Sequence, residues 1–243
     1  MTPPDAPGVA SARSPLSACS SGDARTDAPG RSAPELSAKA RRRGAILDAA
    51  ETLFIERGYD RTGLADVVRR SGGSLATLYD MFASKQGLLH AIAIRWRDET
   101  TADRARRESS GGESPREVLL GYVRSECEIW RTPRAAALVR MLVSECLRDR
   151  TFAADIYRDL HLPFIAGLAS LFVAWSQEGA ARIDDPEATA RLFAATISGD
   201  MILSRLSGLE EAVPDEDEVI WRLRPIISYF GIGGAISLTV FPA

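Results

Sequence analysis

Thr62, Ser74 and Ser84 are small hydroxyl residues, each placed where a helical pattern begins, and Lys85 directly follows the last of them. A helix start leaves backbone N–H groups without carbonyl partners and carries the positive end of the helix dipole, so it seats anions, phosphate above all. The run "SGGSLATLYDMFASK" (71–85) sets two serine-led starts ten residues apart with one short helix between them. That suits a nucleic-acid duplex. The short helix would enter the major groove by its N-terminal end, offering Ser74, Leu75, Ala76 and Thr77 to base edges or adjacent phosphates, with Ala and Leu able to touch a thymine methyl. Lys85 adds charge at the second phosphate seat, and Tyr79 pairs a ring that packs with a hydroxyl that reaches phosphate. Leu78 and Phe82 read as core. The competing reading is that these serines and threonines are plain N-caps, their commonest use.

The elements that must position these residues are short. Ile46, Ala50, Leu53, Phe54 and Arg57 follow helical spacing, Leu47 widens the stripe, and Gly58 ends it. A second helix of about 63–71 opens at Thr62 and buries Leu64, Val67 and Val68, and Gly72 and Gly73 break it. Ser74 caps a third helix of about 75–81, and Ser84 caps a fourth running through Leu88, Leu89, Ile92 and Trp96. Helices this short are marginal alone and must fold against one another. Helix, tight turn, short helix is a helix-turn-helix pattern.

Charge supports a polyanion partner at one end of the chain. The 243 residues carry a formal charge of −3, yet residues 39–97 hold eleven Lys/Arg against six Asp/Glu. Lys39 and the triplet Arg41, Arg42, Arg43 precede the periodic stripe and read as a solvated leader that adds salt-dependent attraction to DNA, with the minor groove within its reach. Residues 1–38 are rich in Ala, Ser, Pro, Gly and Asp and are expected to be disordered. Three cysteines without a CxxC pair fit a reducing compartment. No signal peptide is visible, and "LPFIAGLASLFVAW" (162–175) is too short to span a bilayer, so a cytoplasmic chain with no membrane partner is expected.

The remainder also reads as helical. Helices are expected over 115–130, 133–148, 151–178 with a break near Pro163, 186–207 and about 216–230, while 232–243 has no clear place. The fold class is therefore all-α, with a helix-turn-helix domain (39–92) and a larger helical domain (93–231). Enzyme motifs are missing: there is no HExxH, P-loop, GxSxG or CxxC, and no metal or cofactor is implied.

Residues 46–92 resemble the DNA-binding domain of the TetR/AcrR family of transcriptional regulators. "AAETLFIERGY", Thr62, Asp66, the Gly72 turn, "TLY", Phe82 and "SK" occur in the family's order without gaps. The resemblance implies phosphate contacts from Thr62, Ser74, Tyr79 and Lys85, and base reading by Gly63, Leu75, Ala76 and Thr77. It also implies a homodimer whose C-terminal domain binds a small-molecule effector. Three positions depart: Gly73 replaces a branched apolar residue, and Asp80 and Met81 stand where aromatic or histidine residues touch phosphate. Asp80 could accept from a cytosine amino group or turn to a nearby arginine. A helix-turn-helix that has lost DNA for a protein partner is the alternative.

The C-terminal half resembles the AefR-like subgroup of that family. Leu192, Ala195, Thr196, Gly199, Ile202, Leu203 and Leu206 form one apolar stripe, with Trp221, Ile226, Ile227, Tyr229 and Phe230 on the partner helix. An isologous four-helix interface between two copies is expected there. An apolar or amphipathic effector is expected between the middle helices, against Trp130, Met141, Phe152, Tyr157, Phe164, Phe172 and Trp175. Glu126, Glu145 and His161 would supply its polar contacts.

Overall fold

The computed structural model describes residues 33–108, 114–208 and 214–233, and all regular structure within them is helical. In chain order the elements are α1 (Ala33–Arg57), α2 (Leu64–Ser71), α3 (Leu75–Phe82) and α4 (Lys85–Glu108). Then come α5 (Pro115–Trp130), α6 (Pro133–Arg148), α7 (Arg150–Ile156), a π-turn (Tyr157–His161), α8 (Leu162–Gln177), α9 (Pro186–Ser207) and α10 (Glu216–Tyr229).

Helix α1 starts earlier than the apolar stripe signals. Residues 33–38, expected to be disordered, are helical, and Lys39, Arg41, Arg42 and Arg43 lie inside α1 rather than in a leader before it. The stretch is built from strong helix formers, and Pro34 sits in the first turn, where a missing N–H costs nothing. Residues 1–32 and 234–243, the rest of the two expected irregular ends, lie outside the described residues.

Two apolar clusters organise the chain from Ala40 onward. One gathers Leu119, Tyr122, Val123, Ile165, Leu168, Phe172, Phe193, Ile197 and Leu223 from α5, α8, α9 and α10, together with Ile232. Ile232 therefore belongs to the body and not to a detached tail. Its neighbours pair with the α8–α9 connection, where the Arg182 N–H donates to the Phe230 carbonyl (2.7 Å) and the Gly233 N–H to that of Ala180 (3.2 Å). The second cluster holds Ile46, Leu47, Ala50, Leu53, Phe54, Val67, Leu78, Phe82, Leu88, Leu89 and Ile92 from α1–α4, and it continues into Leu138, Leu142 and Phe152 of α6 and α7.

The segment Arg150–Gln177 is long and apolar enough to cross a membrane by length and composition, but the π-turn divides it and α8 buries Ile165, Leu168, Phe172 and Trp175 in the body. Pro163 has no N–H to give the Asp159 carbonyl four residues back, and Arg97 of α4 donates to that carbonyl instead.

Candidate nucleic-acid interface

The outward face of α3 is small and well defined. Ser74 is its N-cap: the hydroxyl accepts from the Thr77 N–H at 3.1 Å and lies 2.9 Å from the Thr77 Oγ1. Leu78 and Phe82, four apart, are buried beneath the helix. Leu75 and Tyr79, on the flank next to that pair, are 41% and 49% exposed, beside exposed Ser74, Ala76 and Asp80. Asp80 forms no ion pair among the described residues, so the pairing with a nearby arginine expected as one alternative is not made.

Backbone geometry sets this face. Gly72 and Gly73, both at positive φ (77° and 80°), carry the chain from α2 into α3. At the other end Ala83 has φ 61° and ψ −39°, and the Ser84 N–H donates to the Phe82 carbonyl at 2.7 Å, a tight and strained turn. The Ser84 hydroxyl then caps α4 by accepting from the Gly87 N–H at 2.9 Å. Gly87 is required by contact, since a Cβ there would overlap the Phe82 carbonyl oxygen and come 3.2 Å from its carbon. Sequence reasoning missed Gly87, and only its place three residues after a capping serine could have marked it.

Thr62 is a correction. It is 2% exposed, and its hydroxyl faces the carbonyls of Gly58 (2.9 Å) and Leu53 (3.2 Å), so it closes the end of α1 instead of seating phosphate. Gly63, not Thr62, is the N-cap of α2, and its N–H donates to the Asp66 Oδ2 at 3.0 Å. Ser74 and Ser84 are left as the two serine-led starts.

The basic residues divide. Arg41 is exposed, while the Arg43 guanidinium lies 5.5 Å from the centroid of the Phe82 ring. Arg42 is a second correction. Its Nη1 donates to the Ser71 carbonyl at 2.8 Å and its Nη2 to that of Gly72, so its guanidinium is engaged with the end of α2. Lys85 lies against the Tyr59 ring, 4.2 Å from its centroid, with the Asp60 carbonyl at 3.5 Å. Burial lowers the Lys85 ammonium from its ordinary value, and the Asp60 and Glu145 carboxylates oppose that shift.

Comparisons with known proteins identify the family of both halves. Residues 46–92 match the model of bacterial regulatory proteins of the tetR family, and residues 117–222 match the C-terminal domain of AefR-like transcriptional repressors. The chain belongs to the TetR family. The transcriptional repressor ComR of Escherichia coli (strain K12) is 43% identical over 60 residues, which are 25% of this chain and 29% of ComR. The transcriptional activator FasR of Mycolicibacterium smegmatis is 41% identical over 54 residues, 22% of this chain and 25% of FasR. The matched stretch thus spans less than a third of either curated relative. The solved structure of Salmonella enterica GusR superposes with a TM-score of 0.60 at 26% identity, covering 78% of this chain and 95% of that one.

TetR-family regulators bind DNA, form dimers and bind small effectors, and two further surfaces of this chain bear on those properties. The α9 stripe faces outward: Leu192, Ala195, Gly199, Leu203 (65% exposed) and Leu206 line one side. On α10, Trp221 and Tyr229 (81% exposed) also face out. Ile226 and Ile227 are a correction, being buried in the body, because α10 needs its other side for the α5 and α9 contact.

The expected effector set divides: Trp130, Phe164, Phe172 and Trp175 share the body cluster, whereas Met141, Phe152, Tyr157 and His161 lie elsewhere. Phe172 packs on Trp175 (5.6 Å between ring centroids) and on Phe193 (6.1 Å), and Tyr122 joins Phe164 (5.9 Å) to Phe193 (5.7 Å). Trp130 donates from its indole to Glu126 (2.9 Å), and its carbonyl accepts from the Arg205 Nε at 2.5 Å. Met141 and Phe152 pack with the helix-turn-helix core, while Tyr157 and His161 stack on each other at the surface (5.0 Å). Partial burial, and then Arg191 nearby, lowers the His161 imidazole from its ordinary value.

Glu145 is likewise a joint and not an effector contact. Buried on α6, it accepts from the Gln86 amide (3.0 Å) and from Arg148 (3.0 Å), and Arg148 also donates to Asp60 (2.8 Å). The Tyr59 phenol beside it is pushed above its usual range by burial first and then by Glu145 and Asp60, so it stays protonated. Glu51, also buried, joins Arg95 of α4 (2.6 Å) to Arg134 of α6. Between these groups lies an open cleft of about 550 Å³ bordered by Asp48, Glu51, Arg95, Glu99 and Arg134. Its charged lining does not match an apolar effector.

Proposed function

We propose that this chain is a cytoplasmic transcriptional repressor that binds a palindromic operator as a homodimer and leaves it when a small apolar or amphipathic effector binds. In this reading α3 enters the major groove by its N-terminal end. Leu75, Ala76 and Thr77 face base edges with Gly63 beside them, and Ser74 and Tyr79 face phosphates. The carrying observation is the exposure of Ser74, Leu75, Ala76 and Tyr79 on a helix anchored by buried Leu78 and Phe82. The outward faces of α9 and α10 support pairing with a second copy, which sets two α3 helices against half-sites about 34–36 Å apart. Effector acts by binding more tightly to a dimer geometry that no longer matches that spacing.

A mobility-shift titration on the promoter region beside its own gene, at two salt concentrations, tests this. The expected result is a complex at low salt that weakens steeply as salt rises. Absence of a complex at low salt would favour the alternative, a helical protein-interaction module, for which the specific observation is the exposed carboxylate of Asp80 on α3, without an ion pair among the described residues.

A further inference from the structure

The C-terminal end of α2 is closed by a residue from another helix. Helix ends leave carbonyls without partners, and a left-handed glycine usually folds the chain back to satisfy them. Gly72 has ψ −178° here and is extended past that arrangement, leading instead to a second glycine at positive φ. Donors come from Arg42 of α1, 29 and 30 residues back, whose guanidinium takes the Ser71 and Gly72 carbonyls together, with the Ser71 hydroxyl also donating to the Gly72 carbonyl at 3.2 Å. Its charge also meets the negative end of the α2 dipole. The seat depends on residue 73, because a Cβ there would stand 2.6 Å from the Arg42 Cζ and overlap its Nη2. Ser74, the N-cap of α3, follows directly. One side chain therefore spans the joint that sets how α3 leaves α2.

We propose that Arg42 is a positioning residue for operator reading: it fixes the entry of α3 by closing the α2–α3 turn from α1, in a space that exists because residue 73 is a glycine. This rests on the DNA-binding reading above. It also gives a physical reason for Gly73 standing where a branched apolar residue would be usual, since a side chain there would take the space of the Arg42 guanidinium. Arginine suits the task because its planar fork meets two carbonyls at once, which the single ammonium of lysine does not do with the same geometry.

The test uses the full-length protein, a duplex selected by it from random-sequence DNA, and a scrambled duplex of equal length. Arg42→Ala is expected to weaken binding to the selected duplex about tenfold while leaving the scrambled duplex and the salt slope unchanged. Arg42→Lys is expected to recover only part of the loss. Arg41→Ala, one residue away, is expected to lower both duplexes together and to reduce the salt slope by about 0.9. Gly73→Ala displaces the guanidinium, so the double variant Arg42→Ala/Gly73→Ala should be no weaker than Gly73→Ala alone. Arg42→Lys also guards against misfolding, with helix content and native mass checked for each variant. Equal weakening of both duplexes by Arg42→Ala with a reduced slope, or additive losses in the double variant, would overturn the proposal and leave the DNA-binding reading standing. Failure of the unaltered protein to bind any duplex at low salt would overturn that reading, and the proposal with it.

Discussion

The two apolar clusters are built on different terms. The body cluster closes on itself, with rings from α5, α8 and α9 meeting edge to face and Ile232 sealing one side. The helix-turn-helix cluster does not close without help, because Leu138, Leu142 and Phe152 from the body complete it. Side chains hold the body, whereas the reading corner is held largely by backbone: paired glycines, a strained Ala83, two serine caps and an arginine over bare carbonyls. The head gains a defined helix placement from this construction and depends on α6 for its stability.

The sharpest way to break this contrast is Leu138→Ala. Leu138 belongs to the body by chain order but is wholly buried in the head cluster. A cavity there should cost about 2–5 kcal/mol in urea unfolding at fixed protein concentration. Hydrogen exchange should then rise in α1 and α4 well before α9. Equal loosening of α9 would mean that the head and body cores act as one, and the contrast would fail.

Glu145 gives a smaller and more directional effect. Removing its carboxylate by Glu145→Ala strips Gln86 and Arg148 of a buried acceptor and should cost about 1–3 kcal/mol. Glu145→Gln keeps an acceptor for Gln86 while losing the charge facing Arg148, so it should lie between the two. DNA affinity is expected to fall with the same ranking if the seam orients the head. Unchanged affinity in both variants, beside lost stability, would show the seam to be structural only.

How much of this was legible from residue order follows from the range of each signal. The Ser74 and Ser84 caps and the glycine pair depend on neighbours within four positions, and their residue types report them directly. Thr62 carries the same hydroxyl signal but turns back to the Gly58 carbonyl, because a cap for the next helix and a plug for the last one look alike in sequence. The extension of α1 to Ala33 rests on propensity without apolar periodicity, so the stripe did not mark it. Trp130, Phe152 and Phe172 are buried, but spacing along one helix does not say which inward rings meet across helices, so it does not separate a core from an effector site. Arg42 was legible only as a charge. Its use depends on a contact 29 residues away, which no local pattern carries.

The finest test of independence between the two regions uses acid. Asp66 begins α2 in the head and Glu117 begins α5 in the body, each three residues after its cap. The Gly63 N–H, and then Arg69, hold the Asp66 carboxyl below its ordinary value. The Ser114 N–H and hydroxyl do the same for Glu117. In both cases the folded value lies under the unfolded one, about 3.9 for Asp and 4.3 for Glu. The stabilisation is therefore complete above those values and is lost as pH falls through the folded ones. Hydrogen exchange at the starts of α2 and α5 should rise together as the unaltered protein is taken below about pH 4. Asp66→Asn should flatten that response at α2 and leave α5 untouched, while Glu117→Gln should do the reverse. A response of α5 to Asp66→Asn would mean that the head's first turn and the body's first turn are coupled, which their separate clusters do not allow.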